Sequence, residues 1–186
     1  GCGKSTLAKL LFQYYPGYTG HIRFNGQEVR DIDRTALYRR VGYIAQKTVL
    51  FNDTLRNNIC LREDFSDEQL ARAVENAGLT TWVKSLPDGL DTVISEGGKN
   101  LSGGQCQRIG IARLALRQYD LVIADEITAS LDPDTAQQVM QNLLSLPCMA
   151  IVITHDVSNS MMGRFDKIYR VFSDGKTSEC NKVRLL

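Results

Sequence analysis

Leu101-Ser102-Gly103-Gly104-Gln105, followed at a short distance by the strand-like run Leu121-Val122-Ile123-Ala124-Asp125-Glu126, decides how this chain is read. From average residue usage, a chance occurrence of the first five residues in a chain of 186 is on the order of one in several thousand. Ser102 suits a helix N-cap. Ile109, Ala112 and Leu116, with Ile111 and Leu114 nearby, follow at helical spacing, which predicts a helix over 103–116. The two glycines let a ligand approach the backbone closely, and the unpaired N–H groups at the positive end of the helix dipole favour an anion. That makes one phosphate site.

A second phosphate site stands at the first residues, Gly1-Cys2-Gly3-Lys4-Ser5-Thr6, the latter part of the pattern G-x-x-x-x-G-K-[ST]. In such a P-loop the backbone N–H groups cradle phosphates, the lysine reaches the β and γ phosphates, and the following hydroxyl holds magnesium. Taken alone, the stretch also occurs as an ordinary turn before a helix. The pattern's leading glycine is absent and the chain opens inside the motif without a methionine, so it is expected to be a fragment. As a fragment short of its first P-loop residues, it is expected to bind ATP weakly when isolated.

Together these residues resemble the ATP-binding cassette (ABC) ATPases, in the family's order and through most of the chain. The resemblance makes 101–105 the signature and Asp125-Glu126 the end of the Walker B strand. Ser130-Leu131-Asp132 becomes the D-loop, Gln46 the end of a Q-loop strand and His155 an H-switch. It implies ATP and Mg2+ as ligands. Gly1, Cys2, Gly3, Lys4, Ser5 and Thr6 would bind the phosphates; Ser5, Gln46 and Asp125 would hold the magnesium, Asp125 through water. Glu126 would polarise the attacking water and His155 would contact the γ phosphate. Asp132 and Ser102, Gly103, Gly104 and Gln105 would complete the nucleotide site. Singly, Gln46 reads as a surface glutamine, His155 as a satisfied histidine at a strand end, and Asp132 before Pro133 as a helix cap with proline in the first turn.

Two phosphate-binding helix starts in one domain pose a geometric question. They could take separate phosphates, or two copies could pair head to tail so that each ATP lies between one P-loop and the other copy's signature. The resemblance implies the second arrangement.

The expected fold class is α/β: one domain over 1–186, with a P-loop NTPase core of mostly parallel sheet (1–46 and 119–186) and an ABC helical subdomain (47–118). Turn and cap signals place a helix over 4–14 ended by Pro16-Gly17, a strand over 21–25 with a turn at Asn25-Gly26, and a strand over 41–45. Ser66 with Gln69 signals a capping box for a helix that Gly78 stops, its face formed by Leu70, Val74 and Ala77. Further along come an amphipathic helix over 133–146, a buried strand over 149–154, and a hairpin of 167–172 with 177–180 around Asp174-Gly175.

Composition narrows the function classes. The chain is 43% hydrophobic and 23% charged, suited to one globular domain that buries roughly 70% of its unfolded surface. A net charge of +1 gives no basic footprint, so nucleic acid is not an expected partner. The cysteines at 2, 60, 106, 148 and 180 form no C-x-x-C pair, which argues against zinc or a disulfide framework and suits a reducing cytosol. No apolar run approaches the roughly 18 residues of a membrane span.

Two stretches speak to the branch of the family. Leu50-Phe51-Asn52-Asp53-Thr54-Leu55-Arg56-Asn57-Asn58-Ile59 and Ser95-Glu96-Gly97-Gly98-Lys99-Asn100 are similar to exporter-type cassettes. The resemblance implies a transmembrane permease, usually on the same chain, with Glu96 and the Gln46 region against its cytoplasmic helices. The cassette would then sit on the cytoplasmic side of the cell membrane. Cys106, Gly110 and Ile127 depart from the family's common residues, and none is expected to touch the chemistry; Val93 departs too, standing where exporters often carry an acidic residue that bears on the permease contact. The other readings are a soluble ABC ATPase of translation or DNA repair, and a nucleotide-gated binding module that barely hydrolyses ATP.

Overall fold

The computed structural model describes residues 3–129, 131–155, 163–172 and 176–180. In chain order the elements are α1 (Lys4–Leu11), β1 (Arg23–Phe24), β2 (Gln27–Glu28), α2 (Arg34–Arg40), β3 (Val41–Ile44), β4 (Asp53–Thr54), α3 (Leu55–Cys60), α4 (Asp67–Asn76) and α5 (Thr80–Ser85). There follow β5 (Val93–Ile94), α6 (Gly103–Ala115), β6 (Leu121–Asp125), α7 (Pro133–Leu144), β7 (Met149–Ile153), β8 (Ile168–Val171) and β9 (Thr177–Cys180). The fold is α/β. Two compact units divide the chain, Gly1–Arg39 with Ile153–Leu186 and, separately, Arg40–Val152.

The larger unit is organised by β6. All five of its residues are buried, as a continuous apolar run predicts for a strand covered on both faces. It pairs in parallel with β3, Val41 opposite Leu121 and Ile44 opposite Ala124, in a sheet ordered β3-β6-β7. α6 packs against β3 and against α3, α4 and α7, and Ile109, Ile111 and Ala112 are fully buried on it. The capping box of α4 is present in both directions: Gln69 N–H donates to Ser66 Oγ at 3.2 Å, and Ser66 N–H to Gln69 Oε1 at 2.9 Å. Leu70, Val74 and Ala77 are buried, as the helical spacing predicts.

In the smaller unit, Asn25 (φ 50) and Gly26 (φ 82) form the tight turn of the β1–β2 hairpin, which pairs Phe24 with Gln27. β8 and β9 pair antiparallel, Val171 opposite Thr177, while the Asp174-Gly175 turn lies outside the described residues.

Three expectations need correction. α1 ends at Leu11 rather than residue 14, because Gln13 turns to φ 56 and its side-chain amide donates to the carbonyls of Val29 and Ile32 (2.8 Å to the latter). α7 ends at Leu144, with Ser145 as its C-cap, instead of running to 146. β7 is not a buried strand: Met149 is 68% and Ile151 43% exposed on one face. It stands at the end of the described sheet order and so has a neighbour on only one side there.

Asn58 ties the exporter-like stretch to the helical layer. Fully buried, it donates through Nδ2 to the carbonyls of Phe51 (3.0 Å), Asp53 (3.2 Å) and Thr54 (3.1 Å), and its Oδ1 accepts from Phe51 N–H at 2.9 Å. Arg113 donates from α6 to the Asn58 carbonyl at 2.6 Å, and burial lowers that guanidinium's pKa to about 10. Asn58→Ala would leave several buried backbone groups without partners. It is expected to cost on the order of 2–4 kcal/mol, read by denaturant unfolding; a loss under about 0.5 kcal/mol, within ordinary surface-substitution scatter, would refute this reading.

Candidate functional site

The smaller unit carries one group of the motif residues. Gly3 caps α1 at φ 88, a left-handed conformation that favours glycine, and no side chain caps the helix start. Lys4 opens that helix, with Ser5 and Thr6 after it, so all three stand at its positive end. His155 follows β7. Its Nε2 lies 3.4 Å from Lys4 Nζ, which brings together two residues 151 positions apart in the chain. For the ammonium to donate there, Nε2 must carry no proton. Gly1 and Cys2 lie outside the described residues.

The larger unit carries the other motif residues. Asp125, buried at the end of β6, accepts a hydrogen bond from Tyr43 OH at 3.1 Å. Tyr43 opposes Ile123 in the β3–β6 register, so its side chain reaches diagonally to the residue two places on, on the same face. Glu126, the next residue, is held at φ 54. For a side chain other than glycine that costs about 1–2 kcal/mol, and it turns the chain sharply away from the strand. Gln46, just beyond β3, is exposed.

Ser102 caps α6 as expected, and Gln105 proves to be the other member of a capping box. Gln105 N–H donates to Ser102 Oγ at 3.2 Å, and Ser102 N–H to Gln105 Oε1 at 2.8 Å. Gly104 is buried for a reason the sequence did not disclose: a Cβ there would come within 2.5 Å of Thr135 Cγ2. Close packing between α6 and α7, not only ligand approach, therefore demands that glycine. Asp132 caps α7, accepting from Thr135 N–H at 3.0 Å, and that backbone bond holds its carboxyl below the usual range. Ser130 lies outside the described residues.

The ABC transporter family matches this chain over residues 1–129, more than half of its length. The chain belongs to the ABC transporter family. It is a nucleotide-binding region of that family. Two curated relatives are each 40% identical over 147 residues, 78% of this cassette. They are the "Iron-sulfur clusters transporter atm1, mitochondrial" of Aspergillus fumigatus and the "ATP-dependent lipid A-core flippase" of Desulfotalea psychrophila. The alignments cover 20% and 26% of those proteins, so the cassette spans about a fifth to a quarter of the curated relatives it matches. Among solved structures, a bacterial Atm1-family ABC exporter with ATP bound superposes with a TM-score of 0.88 at 31% identity, covering 98% of this cassette and 32% of that chain.

The donor set expected for magnesium, the Ser5 hydroxyl, the Gln46 amide oxygen and the Asp125 carboxylate, consists of oxygen ligands only. That suits a hard divalent cation. Sequence reasoning missed Tyr43, Thr48, Gln107 and Thr135, all of which touch a motif residue or the loop around it. Only Tyr43 had a readable signal, since strand alternation puts it on Asp125's face once the register is known. Of the four departures from family habit, Gly110 packs against the end of β3 and the loop beyond it: a Cβ there would meet Thr48 Oγ1 at 3.0 Å and Ile44 Cδ1 at 2.7 Å. A further cleft of about 390 Å³ is lined by Phe51, Asn52, Asp53, Asn57, Leu61 and Arg62, with Phe51 53% exposed.

Proposed function

We propose that this cassette binds and hydrolyses ATP as half of a head-to-tail dimer and thereby drives export through a transmembrane permease. The approach of Lys4 to His155 carries the reading, because it gathers a cation and an imidazole from opposite ends of the chain beside the open start of α1. That is a place for a terminal phosphate.

In this mechanism Lys4 and the N–H groups of residues 1–6 take up phosphate charge. Ser5, Gln46 and Asp125 would hold Mg2+, which would supply neutralisation of phosphate charge. Tyr43 fixes the orientation of Asp125. Glu126 accepts a proton from the attacking water, and His155 holds the γ phosphate. Ser102–Gln105 and Asp132 face the nucleotide of the second copy. Catalysis of this kind is mostly positioning and charge stabilisation. Residues 1–46 and 119–186 act as the catalytic core and 47–118 as the helical subdomain.

The curated relatives are named as a transporter and a flippase, which favours export over the soluble translation or repair reading. Glu126 and His155 together favour hydrolysis over a purely gated binding module. The permease would rest on the cleft at Phe51 and Leu61, with Glu96 and the Gln46 region nearby, and the cassette would sit on the cytoplasmic side of the membrane. Among the described residues no helix is long and apolar enough to cross it. The test is phosphate release by the purified transporter that carries this cassette. His155→Ala should lower kcat on the order of a hundredfold while nucleotide still binds; a variant within twofold of the parent would sink the proposal.

A further inference from the structure

We infer that Gln107 is a positioning residue that ties the loop of Gln46 to the signature helix. Its side chain is buried, 5% exposed, and both ends of its amide are engaged. Nε2 donates to the backbone carbonyl of Gln46, and Oε1 accepts from Thr48 Oγ1 at 3.2 Å. A buried amide gripped at both ends cannot rotate or withdraw without stranding polar atoms away from water, so the loop is clamped on either side of Lys47.

The neighbouring positions of α6 serve the same contact. Three residues further on, Gly110 has no side chain to hold Ile44 and Thr48 away from the helix. Three residues before, Gly104 lies against Thr135, whose N–H is held by Asp132. α6 therefore touches the loop of Gln46 at one place and the capped start of α7 at another, and its own first turn carries Ser102. A displacement of Gln46 toward a bound nucleotide must move α6 or break the Gln107 amide bridge. The state of one nucleotide site is thus tied mechanically to the signature offered to the other.

The inference rests on Gln46 acting at the nucleotide, as proposed above, and a double-mutant cycle in the assembled transporter separates the two claims. The bridge is made to the backbone carbonyl of Gln46, so Gln46→Ala leaves it in place. Gln46→Ala and Gln107→Leu should each lower kcat on the order of tenfold, and the double variant no further than the more damaging single one, because coupled residues are not additive. The fall in Tm caused by Gln107→Leu should be the same in both backgrounds. Amide hydrogen exchange over 46–48, measured without nucleotide, should rise in Gln107→Leu. If that variant does not fold, Gln107→Glu, which keeps the acceptor for Thr48 and loses the donor to Gln46, takes its place in the cycle. Multiplied kcat losses in the double variant, or unchanged exchange over 46–48, would overturn the coupling alone. Parent-like kcat and KM in Gln46→Ala would overturn the role of Gln46 and the coupling with it.

Discussion

Replacing Glu126 with glutamine is expected to slow ATP turnover of the assembled transporter by about a hundredfold or more while leaving ATP binding intact. The amide keeps the size and the hydrogen-bonding oxygen of the carboxylate but cannot take a proton from water. Glu126 directly follows Asp125 at the end of a fully buried strand, so the two carboxyls are fixed by a backbone that has little freedom to adjust. The substitution should therefore separate closure from hydrolysis, and an ATP-bound dimer should accumulate. Single-turnover phosphate release together with size-exclusion chromatography in ATP reads both effects. Hydrolysis at near the parent rate would remove Glu126 from the role of base.

The second large effect is a rescue. A Ser102→Arg protein spoils the signature, whereas a Lys4→Ala protein spoils the phosphate loop. In a head-to-tail dimer of one copy of each, both defects fall in the same composite site and the other site stays whole. Two inactive preparations should therefore regain on the order of half the parent activity per heterodimer. Equal amounts would be mixed, heterodimer formation verified by two different affinity tags, and turnover followed. An inert heterodimer would contradict the shared-site arrangement. Arginine is the chosen replacement because it both removes the Ser102 cap and introduces bulk at the start of α6.

Much of the fold was legible in the sequence, for physical reasons that differ from place to place. β6 announced itself because a strand buried on both faces must be apolar throughout, and the capped starts of α4 and α7 because Ser66, Gln69 and Asp132 satisfy donors within one turn of themselves while Pro133 has no N–H to satisfy. The hairpin turn at Asn25-Gly26 was local in the same sense. Long-range partnerships were not. Nothing about residues 10–14 says that the amide of Gln13 will find Val29 and Ile32 and stop α1 early. The short antiparallel pair β4–β5 joins residues about forty positions apart and carries no periodic signal in two-residue strands. Among the candidate site residues, the motif ones stand out because they recur as fixed words, while Gln107 and Thr48 meet in a buried contact that no spacing rule encodes.

With Glu126 proposed as the base, the left-handed backbone there sets stability against activity at one position. Glycine would adopt that geometry without steric cost, and asparagine at less cost than glutamate, so either could relieve local strain if the side chain were not needed. With Glu126 as the proposed base, variants selected only for heat resistance would be expected to drift toward those residues here and to lose turnover as they gained melting temperature. In any effort to harden this cassette, residue 126 is therefore the position to hold fixed while the rest of the chain is allowed to vary.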